Sequence, residues 1–174
     1  MEVPASAADY RRAMQILESW VPSPGGGLPD EFFLFLTRFT PMVNVDLLIR
    51  DSDKGLLLTW RDDEFYGAGW HIPGGIIRYK ETAEARIRAT ALLELGATIE
   101  YEPEPVAEEQ SIETERRERG HFVSLIYACR LTSEPDAERA YRRGTPARGQ
   151  WGWHTTCPPG LIPAQDIYRR FFLR

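Results

Sequence analysis

The chain contains no apolar run long enough to span a membrane, and no basic segment followed by an apolar stretch opens it. Neither a spanning segment nor a secretory leader is expected, so a cytoplasmic location is. Cysteine is scarce. Cys129 and Cys157 are too few for a disulfide framework and suit free thiols in a reducing compartment. Cys129 lies in an apolar run and is expected to be buried and inert. Positive charge is in deficit: the net charge is −5, which argues against a surface that coats nucleic acid. No internal repeat occurs, and no low-complexity tract exceeds Gly25–Gly27.

What is present suffices for one globular domain: 174 residues, 43% of them hydrophobic. Residues 7–20 have helical spacing, with Tyr10, Met14, Ile16-Leu17 and Trp20 toward one side. A Pro/Gly linker follows over 21–30, and Asp30 opens a second short helix over DEFFLFLTRF. Residues 1–28 thus form a helical extension and linker, and 29–174 the main domain. Strands are expected at 43–50, 56–60, 70–72, 76–78, 98–101, 105–112, 121–131 and 151–154. A helix over 162–174 closes the chain. This order suits an α+β protein, an α/β/α sandwich with an extra N-terminal helix.

The stretch HIPGGIIRYKETAEARIRATALLELG, residues 71–96, organises the rest. Pro73-Gly74-Gly75 is a turn signal, because proline fixes φ and glycine permits φ > 0. Thr82 is placed to cap a helix that Gly96 ends. Ala83, Ile87, Thr90, Ala91 and Glu94 share one face of that helix. Glu94 sits at the dipole's negative end, so it either faces solvent or lies beside a cation.

Gly75, five residues, Glu81, and a helix ending Glu94-Leu95-Gly96 resemble the Nudix box of hydrolases that act on nucleoside-diphosphate-linked substrates. Ala89, Thr90 and Leu93 stand where the box has an arginine and two glutamates. Such thinning resembles one branch, the GDP-mannose mannosyl hydrolases. FLFLTRFTPMVNVDLLIRD (33–51), TWRDDEFYGAGWHIPGG (59–75) and GHFVSLIYACRL (120–131) match that branch in order and spacing. The resemblance covers roughly residues 30–172 and implies a Nudix fold, a mixed β-sheet between helices.

It also implies a site. Glu94 and the Gly74 carbonyl would hold Mg²⁺, with Mn²⁺ as the alternative. His121 would be the general base, a role that suits histidine as a residue type that can take a proton from water near neutral pH. Arg61 would contact phosphates through its fork of donors, a role that competes with a surface ion pair to Asp62, Asp63 or Glu64. Asp46 would help hold the sugar. Ile76, Ala89 and Gly120 depart from the branch, where arginines and an amide serve substrate, leaving group and metal. Arg78, here taken as substrate-binding, and Arg88, Arg116, Arg117 or Arg119 are the cations available to compensate. His71 and His154 carry no matched role and read as packed or surface residues. The implied reaction is water attack at the anomeric carbon of a nucleotide sugar, releasing GDP and a hexose. The competing readings are ordinary Nudix pyrophosphatase chemistry at phosphorus and a non-catalytic nucleotide-sugar binding module. The branch is dimeric, so a homodimer is expected, with no nucleic-acid or membrane partner.

Overall fold

The computed structural model describes residues 6–172. Helix α1 runs over Ala7–Trp20, with the Ser6 hydroxyl accepting from the Asp9 amide as its cap. None of its residues is buried. Helix α2 covers Asp30–Leu36, shorter than the spacing predicts. It ends where the Thr37 hydroxyl turns back to donate to the Leu34 carbonyl. Among the described residues no helix is long and apolar enough to cross a membrane.

The strands are β1 Met42–Asp51, β2 Gly55–Asp63, β3 Gly67–His71, β4 Gly74–Ile76, β5 Ile99–Tyr101, β6 Ala107–Ile112, β7 His121–Leu131 and β8 Trp151–His154. They form a mixed sheet in the order β3-β2-β1-β7-β5, with β4 on β1, β6 on β7 and β8 on β2. The β1–β7 pair is parallel over eight residue pairs. In contrast, β1 and β2 pair only beside their hairpin, at Arg50–Leu56 and Asp51–Gly55, and then separate. Beyond that point β1 takes β4 as its partner.

Side chains alternate across the strands and build two cores. Val45, Leu47, Ile49, Tyr127 and Cys129 pack under helix α3, Ala83–Leu95, which contributes Ile87, Ala91 and Leu95. On the other face Leu48, Leu58, Trp70, Ile72 and Ile126 meet Leu161 and Tyr168. Tyr168 belongs to the closing segment, which is a 3-10 helix over Pro163–Phe172; residues 173–174 of the expected closing helix lie outside the described residues. The expected α/β/α layering is what these two packed faces produce.

The caps of α3 are as its sequence predicts. Thr82 accepts from the Ala85 amide, and Gly96 ends the helix in the left-handed region at φ 64°. The glycine pair before it differs. Gly74 and Gly75 are ladder residues of β4 rather than turn residues, and neither has positive φ. Their requirement is steric. A Cβ on Gly74 would sit 2.3 Å from Asp46 Oδ1, and one on Gly75 would sit 2.5 Å from Thr90 Oγ1.

Candidate active site

A cavity of about 870 Å³ opens where β1 and β2 have parted. Asp46 from β1, Arg61 from β2, His71 from β3 and Gly74 from β4 all line it. Met14, Leu17 and Val21 of the N-terminal segment and Gln165 and Tyr168 of the closing one complete its sides.

The floor is a buried hydrogen-bonded chain. Ser124 donates to Asn44 Oδ1 (3.2 Å), and Asn44 Nδ2 donates to Asp46 Oδ1 (2.8 Å). The Tyr168 hydroxyl donates to Asp46 Oδ2. Burial pushes the Asp46 carboxyl up to about 6 despite these donors. Burial, and then the carboxylate it faces, raise the Tyr168 phenol as well.

Glu94 lies behind the glycine pair. Its carboxylate accepts from the Thr59 hydroxyl (2.7 Å) and the Gly74 amide (3.1 Å). Burial raises it to about 6, opposed by those donors and by Arg61. Of the two alternatives for it, neither is met: its side chain is partly buried, and among the described residues it makes no ion pair with a Lys or Arg. The nearest ring nitrogen, His71 Nε2, is 3.9 Å away. Burial and then Arg61 pull His71 down to about 3, so the imidazole is neutral and this contact is not an ion pair. His71 Nδ1–H donates to the Ile72 carbonyl (2.9 Å), which turns the lone pair of Nε2 toward Thr59 Oγ1 (3.1 Å). Thr59 has one proton for two acceptors, Glu94 and His71. His71 was read from sequence as a bystander, and the strand pairing Thr59–His71 is what brings it here.

The register of β4 gives Gly74 its place. Leu47 N–H donates to the Pro73 carbonyl (2.8 Å) and Ile77 N–H to the Val43 carbonyl (2.9 Å). Asp46 and Gly74 therefore form a non-hydrogen-bonded pair. The N–H and C=O of Gly74 both point away from β1, on the side where Glu94 accepts the amide. One carboxylate and one carbonyl thus share a side, a hard-oxygen donor set suited to Mg²⁺ with waters and phosphate oxygens. Among the described residues no three His, Cys, Asp or Glu side chains gather into a metal cluster.

Strand alternation separates His121 from this group. Phe122 and Ser124 of β7 line the cavity, so His121 turns to the opposite face of the sheet. There its Nε2 accepts from Gln110 Nε2 (2.9 Å). The expected base is therefore not on the cavity wall. Arg61 lines the cavity but also makes the anticipated ion pair, to Asp63 at 3.0 Å. Arg78 reaches the cavity while donating to the Gly26 carbonyl (3.0 Å), which ties the N-terminal linker to the domain.

Arg86 escaped the sequence reading. It is buried, and its fork donates from Nε to Glu81 Oε2 and from Nη2 to Oε1, each at 2.9 Å. It holds the motif glutamate Glu81, which also accepts from the Arg78 amide. The i, i+5 spacing of Glu81 and Arg86 across a helix start was the available signal.

Over 79 residues the chain is 33% identical to the low-salt glycan biosynthesis protein Agl8 of Haloferax volcanii. That span is 45% of this chain, and 50% of the length of that relative. The MutT NUDIX hydrolase of Burkholderia pseudomallei has a similar fold, with TM-score 0.58 and 23% identity over 75% of this chain and 97% of that one. A UDP-X diphosphatase aligns with 98% of this chain and 83% of its own, at TM-score 0.56 and 14% identity. That likeness of fold takes in the N-terminal helices. The NUDIX domain model matches residues 40–156, the span from just before β1 to just after β8. With the glycine pair, Glu81 and Glu94 placed as described, the chain belongs to the NUDIX domain family.

Proposed function

We propose that this Nudix hydrolase acts on a nucleoside-diphosphate sugar, with water attacking the anomeric carbon. The observation that carries this is the division of the site. The motif helix presents one carboxylate, Glu94, to the glycine pair, while Thr90 is buried and Leu93 exposed where further acids would stand. Attack at phosphorus in this family draws on several carboxylates, and such a cluster is absent among the described residues. The buried floor of Ser124, Asn44, Asp46 and Tyr168 is instead a set of donors and acceptors suited to sugar hydroxyls.

Glu94 and the Gly74 carbonyl would hold Mg²⁺, or Mn²⁺ in its place. When bound there, the ion neutralises charge on the diphosphate. Arg61 faces the same cavity and adds a fork of donors for departing phosphate oxygens. Asp46, the carboxylate in the floor, takes the proton from water in place of His121. The water oxygen bonds to the anomeric carbon, the carbon–oxygen bond to phosphate breaks, and its electron pair leaves with the nucleoside diphosphate. Direct displacement inverts the sugar. GDP-mannose is the first substrate to test, given the resemblance to the mannosyl hydrolase branch. A cytoplasmic homodimer completes the proposal. The exposed Tyr10, Met14, Ile16 and Trp20 of α1 support self-association, which light scattering checks.

The test is product analysis with Mg²⁺ and a panel of nucleotide sugars in ¹⁸O-water. Label in the free sugar supports attack at carbon. Label in a phosphate product assigns ordinary pyrophosphatase chemistry. Binding without turnover of any panel member leaves a nucleotide-sugar binding module. Among variants, Asp46→Asn is expected to abolish turnover while His121→Ala retains it. The reverse result returns the base to His121.

A further inference from the structure

We propose, resting on the diphosphate reading above, that Arg119 is a further residue that grips the substrate's phosphate oxygens, beside Arg61. The loop between β6 and β7 is closed by the Glu113 amide on the Gly120 carbonyl (2.7 Å). Just before its end Arg119 adopts φ 55°, in the left-handed region that a bulky side chain occupies only under constraint. The constraint is visible. Its amide donates to the Thr37 hydroxyl (3.0 Å), and its carbonyl accepts from the Tyr66 hydroxyl (3.4 Å).

The guanidinium so placed is ringed by aromatics. Its central carbon lies 4.9 Å from the Phe65 ring centre, 5.5 Å from Tyr66, 5.7 Å from Phe33 and 6.0 Å from Phe122. Ring faces attract a cation but accept no strong hydrogen bonds. Its Nε is buried and has no hydrogen-bond partner. Arg61 and Arg116 lie over the same Tyr66 ring, at 5.1 and 4.5 Å, and each already has a carboxylate. Arg61 pairs with Asp63 (3.0 Å) and Arg116 with Glu113 (2.7 Å). Among the described residues Arg119 makes no ion pair. It lines the cavity together with Phe33, Tyr66 and Phe122. A permanently charged fork, fixed by strained backbone and left without an anion, faces the space where the diphosphate would lie.

The chemistry selects a phosphate oxyanion, shared by the nucleotide substrate and by free pyrophosphate. The full-length chain, as wild type, Arg119→Met and Arg119→Lys, is titrated calorimetrically with GDP, inorganic pyrophosphate and uncharged guanosine. Each titration is run with and without Mg²⁺. Arg119→Met is expected to weaken GDP and pyrophosphate by about tenfold or more and to leave guanosine unchanged. Arg119→Lys keeps the charge inside the aromatic ring but loses the fork, so it should restore only part of the affinity. Equal affinities in wild type and both variants, with nucleotide-sugar turnover intact, overturn the role of Arg119 and leave the proposed function standing. A lowered melting temperature with unchanged GDP affinity makes Arg119 a packing residue only and also overturns it. Wild type that binds neither GDP nor pyrophosphate overturns the diphosphate reading and Arg119 with it.

Discussion

Replacing Arg86 by methionine tests whether the Glu81–Arg86 pair secures the segment between β4 and α3. Methionine keeps much of the volume and removes the fork. Glu81 would keep one donor, the Arg78 amide at 2.8 Å, and partial access to water. Removing one partner of a buried ion pair costs about 3–5 kcal/mol. Because Glu81 keeps that donor and some hydration, the lower end applies, about 3 kcal/mol. For a chain of this length each kcal/mol moves the melting temperature by about 2–4 °C, so a drop of roughly 6–12 °C is expected. Urea unfolding followed by tryptophan fluorescence gives the free energy directly. The double variant Glu81→Gln with Arg86→Met removes the orphaned charge and should recover about 1–3 kcal/mol relative to the sum of the single variants. Acid supplies an independent check. Burial works to raise Glu81, but the Arg78 amide and the Arg86 guanidinium outweigh it and hold its pKa below the usual 4.5. A lowered folded pKa means the pair's contribution is complete above pH 4.5 and fades as pH falls through the lowered value. The gap between wild type and Arg86→Met should therefore close in acid. A loss under about 1 kcal/mol, or strictly additive single variants, would refute this account of the pair.

Gly74→Ala places a methyl against Asp46 Oδ1, and is expected to cost about 1–3 kcal/mol and most of the activity, read by unfolding and turnover together. Tyr168→Phe removes a buried donor to Asp46 and should destabilise by about 1–3 kcal/mol in the same urea assay. At pH 8 a colorimetric thiol reagent should titrate Cys157 first. Cys129, buried and pushed up to about 12, should react only as the protein unfolds.

The motif helix could be read directly because its signals are local. Thr82, Gly96 and the apolar stripe specify caps and a buried face whatever surrounds them. Glu94 could be singled out for the same reason, as a carboxylate at the wrong end of that helix. His121 shows where local reading stops. Its type and its place before an apolar strand suit a base, yet the face it occupies depends on the β1–β7 register, and a one-residue offset reverses it. The Asp46–Tyr168 contact joins residues 122 apart and has no periodic signal. The glycine pair reads in sequence as a turn, yet it is a strand segment where close approach of Asp46 and Thr90, rather than positive φ, excludes a side chain.

The cavity has two origins along the chain. Its glycine pair, Arg119 and the floor residues Ser124, Asn44 and Asp46 fall within the matched span 40–156, whereas Met14, Leu17, Gln165 and the floor's Tyr168 come from outside it. The portion that bears the chemistry is thus bounded by portions that bear little of the sheet. Their replacement alters the fit of a ligand while leaving the parallel β1–β7 spine intact. Outside the matched span, and apart from the buried Tyr168, these flanking segments are where the shape of the cavity can diverge while the sheet stays constant.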